Sequence, residues 1–133
     1  MDVMGVNLVT TAAGSVDLAV AGVVVLYTKA IYVGCSKFHA LSYSAVSATG
    51  AIALKIEVEQ SYKLPDTEGA ADGAYSEPEN MPDVAGNLTV ESTTYHKSLA
   101  LIPLPYMRLK ITGLAGNSAD AIVTARLTKQ ELA

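Results

Sequence analysis

The stretch Ala51-Ile-Ala-Leu-Lys-Ile-Glu-Val-Glu-Gln60 decides the fold class. From residue 52 to residue 59, every second residue is a large apolar one, and the positions between carry Ala53, Lys55, Glu57 and Glu59. A period of two residues places alternate side chains on opposite faces of a β-strand, whereas a helix would scatter them around its axis. The stretch therefore predicts a half-exposed antiparallel strand with one face in a core.

Two further runs near the C-terminus, residues 106–112 and 121–129, show the same alternation. Residues 113–120 between them are rich in turn-forming Gly, Asn, Ser and Asp. The pattern predicts two neighbouring antiparallel strands joined by a loop. Their exposed faces are expected to carry the main concentration of positive charge, formed by Arg108, Lys110, Arg126 and Lys129.

The remaining apolar runs predict further short strands at residues 3–10, 16–27, 30–35, 38–46, 88–92 and 98–102. With turn signals about every ten residues, this pattern is typical of an antiparallel sandwich, a jelly roll or a small barrel. We expect a single all-β domain over residues 1–133, a jelly-roll-like sandwich of eight or nine short strands. The best helical candidate is one turn within residues 66–74.

Residues 63–87 interrupt this regular spacing. They contain Pro65, Pro78 and Pro82 and six of the thirteen acidic residues of the chain. A long acidic loop with apolar anchors (Leu64, Tyr75, Met81 and Val84) is expected to pack onto a partner as an extended arm. Residues 1–11 carry one charge, at Asp2, and form a second candidate interface arm.

Composition limits the classes of partner. The formal net charge is −4 and no block of Lys or Arg occurs, which argues against a protein that follows nucleic-acid phosphates. The apolar run at residues 18–27 is too short to span a membrane, so no membrane partner is expected. Cys35 is the only cysteine, which excludes an intramolecular disulfide and favours a small buried side chain. Only 17% of residues are charged, as is common in subunits that bury much of their surface.

No residue pattern points to catalysis, and we expect no enzyme activity, cofactor or metal centre. His39 and His96 are the only histidines and lack metal-ligand spacing, and no Gly-x-Ser-x-Gly motif occurs. The acidic loop does not follow the register of an EF-hand. A cation held at a subunit boundary by Glu77, Glu79 and Asp83 stays open as an alternative to a solvated acidic loop.

The segment Pro105-Tyr-Met-Arg-Leu-Lys-Ile-Thr-Gly-Leu-Ala-Gly-Asn-Ser-Ala-Asp-Ala-Ile-Val-Thr-Ala-Arg-Leu127 resembles small virion structural proteins of tailed bacteriophages. The shared features are a Pro-Tyr-hydrophobic-Arg-hydrophobic-Lys strand, a Thr-Gly turn, and an Asn-x-Ala-Asp loop before a final alternating strand. The resemblance covers roughly residues 99–130.

This resemblance implies a capsid decoration (cement) protein that sits on the capsid exterior as a homotrimer, bound to the major capsid protein and made in the host cytoplasm. The alternatives are a tail, neck or fibre subunit and a carbohydrate-binding β-sandwich. The residues predicted to form an interface are Tyr75, Met81, Val84, Arg108, Lys110 and Arg126.

Overall fold

The computed structural model describes residues 2–7, 17–34, 36–48, 50–79 and 81–131. Cys35 and the end of the predicted N-terminal arm (residues 8–11) lie outside these ranges. The described residues contain no helix and form ten antiparallel strands: β1 (Asp2–Asn7), β2 (Asp17–Val20), β3 (Val25–Tyr27), β4 (Ile31–Tyr32), β5 (Ser36–Val46), β6 (Leu54–Ser61), β7 (Ala85–Leu88), β8 (Tyr95–Leu99), β9 (Tyr106–Gly113) and β10 (Ala121–Glu131).

The strands form two sheets of five. Sheet A has the order β1–β10–β5–β8, and β2 follows β1 end to end along the same edge of β10. Sheet B has the order β3–β9–β6–β7, and β4 follows β3 end to end along the same edge of β9. If β1 and β2 are counted as one strand, and β3 and β4 as another, the strands number one to eight along the chain. Sheet A then has the order 1-8-3-6, and sheet B has the order 2-7-4-5. This is the jelly-roll arrangement, and the predicted all-β sandwich is confirmed.

The inward rows of both sheets form the core, and the three alternations seen in the sequence supply most of it. Leu54, Ile56 and Val58 of β6 are at most 1% exposed. The inward side chains of β9 (Met107, Leu109, Ile111) and β10 (Ala121, Val123, Ala125, Leu127) are equally buried. A strand that alternates apolar and polar residues packs only its apolar face against the other sheet.

The prediction that β9 and β10 are neighbours is wrong. β9 pairs with β6 in sheet B, and β10 pairs with β5 in sheet A. The connection at residues 114–120 takes the chain from sheet B to sheet A. The apolar faces of β9 and β10 therefore meet across the core from opposite sheets. Periodicity identifies a strand but does not identify its partner.

Two other details differ from the expectation. The run at 16–27 divides into β2 and β3, because Gly22 adopts a positive φ of 74° where the chain passes from sheet A to sheet B. The predicted helical turn is absent. Residues 66–75 instead form two reverse turns, closed by hydrogen bonds from Ala70 N to Thr67 O (3.2 Å) and from Tyr75 N to Asp72 O (3.0 Å).

Asn117 holds the crossing between the sheets together. Its side-chain nitrogen donates to the carbonyl oxygens of Val20 and Gly22, each at 2.9 Å. Its side-chain oxygen accepts from Ala53 N at 3.1 Å. Asn117 is 9% exposed, so these bonds replace the water that the buried backbone groups would otherwise need.

Gly113 is required at the same crossing for steric reasons. A Cβ atom at this position would overlap the carbonyl oxygen of Gly22. The backbone bond from Gly113 N to Val24 O, 2.7 Å long, draws the two segments this close. A side chain at residue 113 would therefore separate β3 from the end of β9.

We expect Gly113→Ala to lower the free energy of unfolding by about 1–3 kcal/mol, because the added methyl group forces the backbone at Gly22 to move. Urea unfolding followed by circular dichroism measures the change. Gly73→Ala is the matched control, since a Cβ there meets nothing within 4 Å, and it should change stability by less than about 1 kcal/mol. Equal stability of the two variants would contradict the steric account.

Candidate functional site

The outer face of sheet B is built around Arg108, whose side chain is completely buried. Its Nε donates to Glu59 Oε1 at 3.0 Å, and its Nη1 donates to the carbonyl oxygen of Ala70 at 2.7 Å. The guanidinium carbon lies 4.2 Å from the ring centre of Tyr27 and 4.4 Å from that of Tyr75. Arg108 therefore joins β9 to the long loop through hydrogen bonds and cation–π contacts.

The long loop is closed by its own polar groups. Lys63 Nζ lies 2.8 Å from Asp66 Oδ1 and 3.4 Å from Asp72 Oδ2. The Asp72 carboxylate accepts from Asp66 N at 3.0 Å and Ala74 N at 2.9 Å. These two backbone donors, followed by Lys63, lower the pKa of Asp72. The loop is thus folded back on sheet B, and the expectation of an extended arm is wrong for the described chain.

Three of the predicted interface residues are buried within the chain. Tyr75 is 5% exposed and its hydroxyl donates to Lys63 O at 2.6 Å, while Val84 is 5% exposed in the core. Arg108 is the third, and Met81 is half-buried against the core. Their contacts are made with residues of this chain, so a partner would have to displace the loop to reach them.

The predicted basic face does not exist. Lys110 is half-buried on sheet B, and Arg126 is exposed on sheet A. Lys129 is 8% exposed and its Nζ donates to Tyr32 O at 3.1 Å. The expectation failed because it placed β9 and β10 in one sheet and left no element to cover Arg108.

We expect Arg108→Lys to lower the free energy of unfolding by about 2 kcal/mol, since lysine lacks the planar fork that reaches Glu59 and Ala70 together. Urea unfolding measures the loss, and a glutamate-specific protease should cut the loop faster at Glu68. Arg126→Lys is the control, and its effect should stay within about 0.5 kcal/mol because Arg126 is exposed. Unchanged protection of the loop in Arg108→Lys would refute this role.

An acidic cluster lies where the loop returns to sheet B. Carboxylate oxygens of Glu57, Glu77 and Asp83 lie within 4.8 Å of one another. Lys55 Nζ is 3.6 Å from Glu57 and 3.8 Å from Asp83, so the chain itself supplies a positive charge. The sequence pointed to Glu77 and Asp83 but placed Glu79 beside them. Glu57 was missed, although its outward position on the strand before the loop was visible.

Burial, with the neighbouring carboxylates of Glu57 and Asp83, raises the pKa of Glu77. The folded protein therefore holds the Glu77 proton more tightly than the unfolded chain does. This favours the folded state below the ordinary glutamate pKa of 4.5, and the gain in stability is lost as the pH rises through the raised pKa of the folded state. Ionised Glu77 therefore destabilises the loop at neutral pH.

We expect Glu77→Gln to raise the melting temperature at neutral pH, because glutamine removes one negative charge from the cluster. The two proteins should converge as the pH falls below the ordinary glutamate pKa. Thermal unfolding followed across this pH range provides the measurement. Glu79→Gln serves as control, since Glu79 is exposed outside the cluster; an equal effect in both variants would rule out a local cause.

The outer face of sheet A is the second candidate surface, and it has no loop packed on it in the described chain. Phe38, Val46 and Ile122 are 53%, 39% and 36% exposed. The register places Ser, Thr and Ala side chains between them. Among the side chains of this face that the structure describes, Arg126 carries the one formal charge. Sequence reasoning missed this face, although the even-numbered positions of residues 38–46 and 122–128 signal it.

A cleft at one end of the sandwich is the third candidate, with a volume of about 410 Å³. Tyr32, Lys37, His39 and the 101–105 segment are among the residues that line it, and none of the lining residues is acidic. His39 is 8% exposed, and burial followed by the charge of Lys129 lowers its pKa. The cleft is therefore bordered by basic and apolar groups.

The sequence matches no protein-family model and no curated protein. No helix long and apolar enough to cross a membrane occurs among the residues that the structure describes.

Proposed function

We propose that this chain is a structural virion protein of the capsid decoration type, which binds a capsid shell through the outer face of sheet A. The single observation that carries the proposal is the low charge of that face. The chain contains nine Lys and Arg and thirteen Asp and Glu residues, and the described side chains of this face include one of them. Depletion of charge is the compositional mark of the buried part of a protein interface.

The size of the face supports the same role. Sheet A has strands of six (β1), four (β2), eleven (β5), five (β8) and eleven (β10) residues. At about 4.8 Å between strands and about 3.4 Å per residue, they give a projected area of about 600 Å². A stable interface buries about 800 Å² on each partner. The face therefore provides most of one such contact, and small Ala, Ser and Thr side chains allow a flat partner to approach closely.

The resemblance of residues 99–130 to phage virion proteins supplies the partner class. These residues contain β9 and all but the last residue of β10, and each of these strands is central in its sheet. Jelly rolls are common in viral capsid proteins and also in lectins, so the fold alone does not choose between them.

The first test is the composition of virions of the phage that encodes the chain. We expect mass spectrometry to find the protein in purified particles, and cryo-electron microscopy to place it on the outside of the shell. Density on the tail, neck or fibres would move it to another structural class. Absence from virions, with glycan-array binding that is lost on Tyr62→Ala, would overturn the proposal in favour of carbohydrate binding. Tyr62 is 69% exposed, whereas Tyr75 is buried.

The second test places a charge in the middle of the face. Ala40→Glu should weaken binding to shells that lack the protein by about tenfold or more, because a partner would have to bury an added carboxylate on the contact face. Co-sedimentation measures the bound fraction. Ala115→Glu, at an exposed site in the β9–β10 connection, adds the same charge elsewhere and should bind as the wild type does. Equal binding by both variants would exclude this face as the contact.

A further inference from the structure

We propose that the cleft binds the acidic loop of a second copy of this chain, so that copies associate head to tail. The inference goes beyond the proposed function, because it concerns the contact between copies rather than the contact with a shell. It rests on complementary charge, on matching apolar groups, and on where the two surfaces lie in the fold.

The cleft offers a positive charge beside an apolar wall. Lys37 is exposed and has no ion pair among the described residues; its ammonium lies 5.9 Å from the Phe38 ring centre. Ile102, another lining residue, is 43% exposed and precedes Pro103, which also lines the cleft. Such a site suits an acidic segment that also carries apolar side chains.

The near end of the acidic loop presents the complementary groups. Glu68 is exposed and has no ion pair in the described chain, and the side chain of Asp66, which pairs with Lys63 at 2.8 Å, is 87% exposed. Tyr62, which directly precedes the loop, is 69% exposed, and Leu64 at the start of the loop is 55% exposed. An acidic loop with exposed apolar side chains is thus available on every copy.

The two surfaces lie at the same end of the sandwich. Tyr32 of the cleft pairs with Tyr106, and Tyr106 pairs with Ser61, the residue before Tyr62. Within one chain, however, Lys37 and Glu68 do not form an ion pair. Since each copy carries both surfaces, the loop of one copy can enter the cleft of the next, and such a contact closes into a ring when the rotation between copies returns to the first copy.

Charge reversal tests the contact. Lys37→Glu and Glu68→Lys should each raise the dissociation constant of self-association by about tenfold or more. The double variant should recover self-association, because each cleft is then acidic and each loop basic. Analytical ultracentrifugation at low and high ionic strength measures these constants, and salt should weaken the wild-type assembly because it screens exposed charges.

Glu79→Lys is the matched control, since it makes the same charge change at another exposed position of the loop and should leave self-association unchanged. A monomeric wild type, unchanged single variants or a double variant that is not restored would each overturn the inference. A monomer that still binds shells would overturn it while leaving the proposed function standing. Monomers whose glycan binding is lost in Lys37→Glu would assign the cleft to an acidic sugar instead.

Discussion

The close approach of Gly113 to Gly22 is the constraint on which both sheets depend. At this point the chain leaves β2 in sheet A and enters β3 in sheet B, and the end of β9 lies against it. The side-chain amide of Asn117 donates hydrogen bonds to the carbonyl oxygens of Val20 and Gly22 at this crossing. Without the crossing, β2 and β3 would continue as one strand, and one edge of the sandwich would lose its link between the sheets.

Arg108 holds the long loop against the outer face of sheet B. A buried guanidinium is costly unless its charge is paired, and Glu59, the carbonyl oxygen of Ala70 and two tyrosine rings offset that cost. The loop that supplies two of these groups therefore becomes part of the fold. As a result the two outer faces differ, because sheet B is covered by its own chain whereas sheet A has no such cover among the described residues. This difference directs the proposed shell contact to sheet A.

Much of the fold was predictable, and the candidate surfaces were predictable only in part. The alternation in β6, β9 and β10 identified the inward residues correctly, because burial on one face imposes a two-residue period. The same alternation placed Arg108 on the outward side of its strand, which is right. It did not show that Arg108 is buried, because the covering residues, Ala70 and Tyr75, lie more than thirty positions away in the chain. Glu57 was missed in the acidic cluster for a similar reason, because Glu77 and Asp83 come twenty or more positions later in the chain.

The sequence by itself determined that the chain forms strands, which side chains of the clearest strands point inward, and that a long acidic loop interrupts them. These are local properties, set by the pleat of a strand and by the turn preferences of Gly, Pro and Asp. Only the tertiary structure decided that β9 and β10 belong to different sheets, that the loop folds back onto Arg108, and that no described segment covers the outer face of sheet A. Those outcomes depend on pairing and packing between segments distant in the chain, which no local pattern encodes.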